Sequence, residues 1–128
     1  MAKGSIRFER DEKNDIVIAY PKWHIETEDD CKAWLAQYEA YFAPFGRRVD
    51  IIVVLDEFSI GNGIGSVWGR YRAEIHKRFT RHSVRVHANA KVRTYSATSG
   101  ALHGVPSDEA RDVATAIALI HEHRRHVA

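Results

Sequence analysis

Ile51-Ile52-Val53-Val54-Leu55 is followed at a short distance by Ile60-Gly61-Asn62-Gly63-Ile64-Gly65-Ser66 and then by Val67-Trp68-Gly69-Arg70-Tyr71. Five consecutive apolar, mostly β-branched residues predict a strand buried on both faces, as in a parallel sheet. Beyond the glycines, Ile64, Val67, Trp68, Tyr71, Ile75 and Phe79 recur at helical spacing. The glycines therefore mark the place where a central strand gives way to a helix. A helix start there exposes backbone N–H donors and a partial positive charge, a common place for phosphate or partner recognition in α/β folds.

Working outward, Ser5 to Glu9 and Ile16 to Tyr20 read as two strands of an antiparallel hairpin, joined by the polar run Asp11 to Asp15. Pro21 is expected to end the second strand. Thr27 is a candidate N-cap, with Glu28, Asp29 and Asp30 complementing the helix dipole. Cys31, Trp34, Leu35, Tyr38, Phe42 and Phe45 form the apolar stripe of that helix, which Pro44 and Gly46 close.

The helix after the glycine turn is expected to end near Arg81, and Ser83 to His87 reads as a further strand. Asn89 is placed to cap a brief helix stopping at Gly100, with Ala101 to Val105 as an edge strand. Pro106-Ser107-Asp108-Glu109 then opens a last helix with Ser107 as its cap and Ala110, Val113, Ala114, Ile117 and Ile120 facing the core. The expected fold is α/β, a mixed central sheet of about four or five strands with about four helices, in the order β-β-α-β-α-β-α-β-α.

Composition fits this outline. A chain of 128 residues that is 45% hydrophobic suits one domain over 1–128, able to bury roughly two-thirds of its unfolded surface. No apolar run approaches the roughly 20 residues of a membrane span, and Met1 to Ser5 lacks the apolar stretch of a secretory signal. The single Cys31 has no internal disulfide partner and reads as a core thiol. A cytoplasmic protein without a membrane partner is the expectation. The formal charge of +2 conceals a basic stretch from Arg70 to Arg93 that includes Arg72, Lys77, Arg78, Arg81, Arg85 and Lys91, against Glu74 alone. Its ordinary explanation is a solvated face. Aromatic residues are not interleaved among these bases, so nucleic acid is not the expected partner.

The element order and particular residues together resemble the STAS domain (sulfate transporter and anti-sigma factor antagonist). The likeness is nearest to the small bacterial anti-sigma factor antagonists, whose signature runs approximately D-S-S-G-L-G-V-x-x-G-R-Y. Ile60-Gly61-Asn62-Gly63-Ile64-Gly65-Ser66-Val67-Trp68-Gly69-Arg70-Tyr71 lies over it without a gap. Val92 to Leu102, with Ser99-Gly100-Ala101-Leu102 near its end, is similar to that family's short helix ending in S-G-L. The resemblance covers nearly the whole chain and is specific at Gly63, Gly65, Gly69, Arg70, Tyr71 and Gly100. It implies a regulatory module that binds an anti-sigma factor or a kinase-like regulator. A second copy of the chain is the other partner to consider.

One departure changes the expectation. The family's phosphorylated serine is Gly61 here, its neighbour is Asn62, and the preceding acid is Ile60. Glycine has no hydroxyl, so that switch cannot operate at this position. Ser59 and Ser66 flank the turn without occupying the matching place. Gly61 and Gly63 permit positive φ and close backbone approach, and Asn62 tolerates left-handed geometry or could cap the helix. A dinucleotide fingerprint fails in detail: the spacing is G-x-G-x-G, and Ser66 stands where the last glycine should.

Metal and catalytic readings find little purchase. His121, Glu122, His123 and His126 do not follow H-E-x-x-H, and cationic side chains at a helix C-terminus explain them. No metal or cofactor is expected. Asp56 and Glu57 stand at the carboxyl end of the central strand, where open α/β sheets carry functional groups, but loop acids need no function. No G-x-S-x-G elbow occurs. Two expectations remain. The first is a non-enzymatic interaction module docking through Asp56, Ser59, Gly61, Asn62, Gly63, Ser66 and Arg70, with Arg72 and Lys77 helping to steer an acidic partner. The alternative is a lipid- or nucleotide-sized small-molecule binder using Trp23, Trp68 or Tyr71.

Overall fold

The computed structural model describes residues 4–104 and 108–126. β1 (Ser5–Asp11) and β2 (Ile16–Ile25) form the expected hairpin, antiparallel, with Ile6 opposite Pro21 and Asp11 opposite Ile16. Pro21 does not end β2 but lies within it. The reason is the change of partner on the far side of the strand. Ile16 to Ala19 pair with β3 (Val49–Val54), Trp23 to Ile25 pair with β4 (Phe58–Ile60), and Pro21 falls between. Trp23 N–H donates to Glu57 O on that side. Residues two apart in a strand direct their N–H groups the same way, so the donor that Pro21 lacks would face a gap in the ladder.

α1 (Glu28–Phe42) opens on a reciprocal capping box: Thr27 Oγ1 accepts from Asp30 N–H at 3.2 Å, and Asp30 Oδ2 accepts from Thr27 N–H at 3.1 Å. Cys31, Trp34, Tyr38 and Phe42 are buried along one face, as the stripe predicts. A short 3-10 turn over Ala43–Phe45 ends at Gly46. α2 (Gly65–Phe79) runs directly into β5 (Thr80–Val86), and α3 (Ala90–His103), β6 (Asp108–Ala110) and α4 (Val113–Arg125) complete the chain.

Three boundaries differ from expectation. β4 is an additional strand, three residues long and paired only with β2. α3 passes through Gly100 to His103, so the strand expected from Ala101 is helix there, and its last residue, Val105, lies outside the described residues. The segment Asp108–Ala110 forms the edge strand against β5 instead of opening the last helix. Asp112 caps that helix, accepting from Thr115 N–H at 2.7 Å, while the expected cap Ser107 lies outside the described residues. Asp112 offers the same capping oxygen as a serine, and pairing with β5 decides which of the two starts is used. Ala114 consequently turns outward and Ala116 and Ile120 take the core positions.

The sheet order is β1-β2-β3-β5-β6, antiparallel between β1 and β2 and parallel elsewhere, which makes this a mixed α/β sheet. Side chains alternate across it with period two. Val17, Ala19, Ile51 and Leu55 face a core built from α1, α2 and α3, whereas Ile16, Ile18, Ile52, Val54, Val84 and Val86 face α4. The first core is aromatic. Trp34, Phe58 and Trp68 meet there with ring centroids 5.7 to 6.2 Å apart. The second is aliphatic, closed by Ala116 and Ile120. Both faces of β3 are thus covered, as its apolar run requires.

Candidate functional site

The glycine turn stands at the carboxyl edge of β3 and β4. Gly61 N–H donates to Ile25 O at 2.7 Å, which ties the turn to β2. A Cβ at Gly61 would lie 3.2 Å from that same oxygen, so close approach is what this glycine permits. The positive φ, +80°, belongs to Gly63. Asn62 does not cap α2. Its Oδ1 accepts from Lys91 Nζ at 2.6 Å, and α2 begins after Ile64 with no side-chain cap. Gly65 is buried beneath the Tyr95 ring, where a Cβ would meet ring carbons at 2.1 to 2.3 Å, so a glycine is needed for α3 to pack on the start of α2.

Around the turn the polar side chains pair with one another. Ser59 Oγ lies 2.7 Å from His24 Nδ1, and the other His24 nitrogen is 3.4 Å from Glu26 Oε1. The order hydroxyl, imidazole, carboxylate is that of a hydrolytic relay. Here His24 and Glu26 are both about half exposed, at 51% and 53%, so water competes for each contact. Asp56 Oδ2 lies 3.0 Å from His87 Nδ1, and that hydrogen bond raises the His87 pKa. Glu57 faces Lys22 at 3.6 Å instead of joining Asp56 as an acid pair. His24, Glu26, Ile60, Gly61, Asn62 and Lys91 line an open hollow of about 400 Å³.

The structure therefore brings Gly61 and Asn62 to one hollow and Ser59 against its His24, while Gly63 and Ser66 are exposed but do not line it. Asp56 belongs to the His87 pair, and Arg70 lies in a separate shallow groove of about 190 Å³ between α1 and α2, with Glu28, Leu35, Tyr71 and Glu74. Tyr71 Oη donates to Glu28 Oε2 at 2.8 Å in that groove. Of the three aromatics expected to hold a ligand, Trp23 and Trp68 are buried, Trp68 bordering a small cavity, and Tyr71 borders the shallow groove.

The basic stretch divides in the same way. Arg78 pairs with Glu39 and Glu74, Arg81 with Asp50, and Arg93 with Glu109. Arg72 is turned inward, donating over 3.4 Å to Ser96 O, and Arg85 is 7% exposed. Of the residues expected to steer a partner, Arg70 and Lys77 are exposed and Arg72 is not. A spacing of two on a helix places Arg70 and Arg72 on different sides, which the charge count conceals.

Arg72 and Arg85 border a cavity of about 50 Å³ between α2 and the β3–β5 surface, together with Trp34, Trp68, His76 and Ser96. Burial, and then the neighbouring Arg85 guanidinium, pull the Arg72 pKa down to about 10. Burial, with Arg72 and Arg48 nearby, takes His76 to about 4, so its imidazole is neutral at physiological pH.

Sequence reasoning missed Asp50. It is 1% exposed in β3, at the amino edge of the sheet, away from the glycine turn. Arg81 donates to it at 3.2 and 2.8 Å, His82 N–H at 3.0 Å, and Arg124 Nε at 2.8 Å. Arg124 also donates to the Asn14 and Asp15 carbonyls, which pins α4 to the β1–β2 turn. Burial alone would raise the Asp50 pKa, but the hydrogen bonds from Arg81, Arg124 and His82 outweigh it and the carboxyl is held below its ordinary range. The available signal was an acid at the head of an apolar strand with Arg81 and His82 at the head of the next. Arg124, from the last turn of α4, completes the cluster.

Compared with known protein families and with curated proteins, the chain matches none of them.

Proposed function

We propose that this chain is a non-enzymatic, STAS-like interaction module that docks a protein partner at the carboxyl edge of its sheet. The carrying observation is the open polar hollow at the glycine turn, lined by Gly61 and by the exposed Asn62. A shallow, solvated, polar surface suits a polypeptide segment better than a small molecule, which needs an enclosed and largely apolar site. The resemblance of the turn to the anti-sigma factor antagonists favours an anti-sigma factor or kinase-like regulator as that partner. Gly61 removes the phosphoserine position, and its contact with Ile25 O leaves little room to restore one. Docking is then constitutive instead of switched at that residue.

Photo-crosslinking in source cells tests this. A photoreactive side chain at Asn62 or Ser66 is expected to capture one discrete partner, whereas the same group at exposed Ala118 on α4 captures none. Equal labelling from all three positions would overturn the docking surface.

A further inference from the structure

β1 ends the sheet: its inner side pairs with β2, and among the described residues no strand pairs with its outer side. Two contacts fix the direction of its backbone groups. Ile6 lies opposite Pro21, which has no N–H, and Ile6 N–H turns outward to Gln37 Oε1 of α1 at 2.8 Å. Alternate residues of a strand share that direction, so Ile6, Phe8 and Arg10 present their N–H and C=O groups outward. A bare row of this kind is a template for another strand. The usual protections are weak here. β1 carries no Pro and pairs with β2 over seven residues without a bulge. Gln37 covers the start of the row, donating in turn to Gly4 O over 3.4 Å.

Charge decides which strand fits. Arg7 and Glu9 are exposed on the face opposite Ile6 and Phe8. Let a second β1 lie antiparallel to the first about a two-fold axis at Phe8. Phe8 then meets its own copy, Ile6 meets Arg10, Ser5 meets Asp11 and Arg7 meets Glu9. Phe8, Ile6 and Arg10 exchange main-chain hydrogen bonds, and Arg7 and Glu9 form the non-hydrogen-bonded pair, in which side chains stand closest. Opposite charges placed so stabilise a sheet, and like charges destabilise it. Other registers fare worse. An axis at Arg7 or Glu9 sets that residue against itself, an axis at Arg10 sets Glu9 against Asp11, and an axis at Ile6 falls on the end that Gln37 covers. The partly buried rings beside the strand favour the same register: Phe8 stacks on Tyr41 at 4.3 Å, and Arg10 lies over Phe45 at 4.9 Å.

We infer that two copies of this chain associate through β1, antiparallel about a two-fold axis at Phe8, and so join their sheets into one. The surface shares no residue with the hollow at the glycine turn, so one can fail without the other. In the single chain Arg7 lies over the Tyr20 ring and bridges Glu9 at 2.8 Å, but the two side chains are 61% and 48% exposed, so that bridge is weak and re-forms across the axis. Gln37 must leave Ile6 before Arg10 of the second copy can enter, which makes it a competitor for the edge.

A seven-residue strand is a small contact beside the roughly 800 Å² per partner of a standard interface, so the dimer is expected to be reversible. Sedimentation equilibrium of the intact chain, from micromolar to millimolar concentration, is expected to show a mass that rises from one copy toward two. Arg7→Glu sets Glu against Glu9 twice and is expected to weaken association about tenfold or more. The double exchange Arg7→Glu/Glu9→Arg is expected to restore it, and Gln37→Ala to tighten it about tenfold by freeing the edge. Circular dichroism checks that each variant keeps the fold. A chain that stays a single copy throughout overturns the inference. So does a dimer that Arg7→Glu leaves unchanged, one that the double exchange fails to rescue, or one that Gln37→Ala loosens.

Discussion

Charged side chains gather at two places around α2 and its strands, and the two are built in opposite senses. At the amino edge, one carboxylate, Asp50, is surrounded by Arg81, His82 and Arg124. Beneath α2, two guanidinium groups border a cavity whose wall carries no carboxylate among the described residues. In the first cluster the anion accepts from donors on two elements, β5 and α4, which fastens α4 and the β1–β2 turn to the sheet. The second places like charges on one wall, Arg72 from α2 and Arg85 from β5, with Glu109 reaching Arg85 from outside at 3.6 Å.

Removing the anion from the first cluster is the sharpest way to break this contrast. Asp50→Ala leaves half-exposed Arg81 and partly buried Arg124 facing one another and is expected to lower stability by roughly 3 kcal/mol, at the low end of the range because Arg81 is half exposed. Urea unfolding checks this, and a loss within error of zero would remove Asp50 from its structural role.

The pH dependence of the same cluster is the next largest effect. The folded pKa of Asp50 is lowered, so its contribution is fully present above the unfolded value of about 3.9 and fades as pH falls through the folded value. Wild type is therefore expected to lose stability steeply on acidification below about pH 4, and Asp50→Asn, weaker at neutral pH, to lose less over that window. Parallel curves for the two proteins would contradict the assignment.

The smallest effect is expected at Arg72. Arg72→Met replaces a half-buried guanidinium with an apolar chain of comparable length. Its unfolding free energy is expected within about 1 kcal/mol of wild type. A loss as large as that of Asp50→Ala would mean that Arg72 serves the fold as Asp50 does, and the contrast would collapse.

Much of this architecture was legible in the residues. The run Ile51 to Leu55 identified a strand covered on both sides, and Thr27 with Asp30 identified a helix start, because both depend on interactions within a few residues. Expectation failed where a distant partner decided the outcome. Pro21 stays in β2 because the strand changes neighbours there, and Asp108–Ala110 is a strand because β5 is available to pair with it. The turn was legible as a turn, yet the division of labour between Gly61 and Gly63, and the capture of Asn62 by Lys91, arise from β2 and α3.

By itself, then, the sequence determined the α/β alternation, the apolar stripes, the caps at Thr27 and Asn89 and the missing hydroxyl at Gly61. These follow from periodicity and from the chemistry of single side chains. Only the tertiary structure decided which charges are buried and with whom. Asp50 and Arg124 are separated by 74 residues yet share a hydrogen bond, and Arg72 turns from the basic surface toward Ser96. A charge count sums over all sides of a helix, whereas burial selects one side, and that selection is made by whatever packs against it.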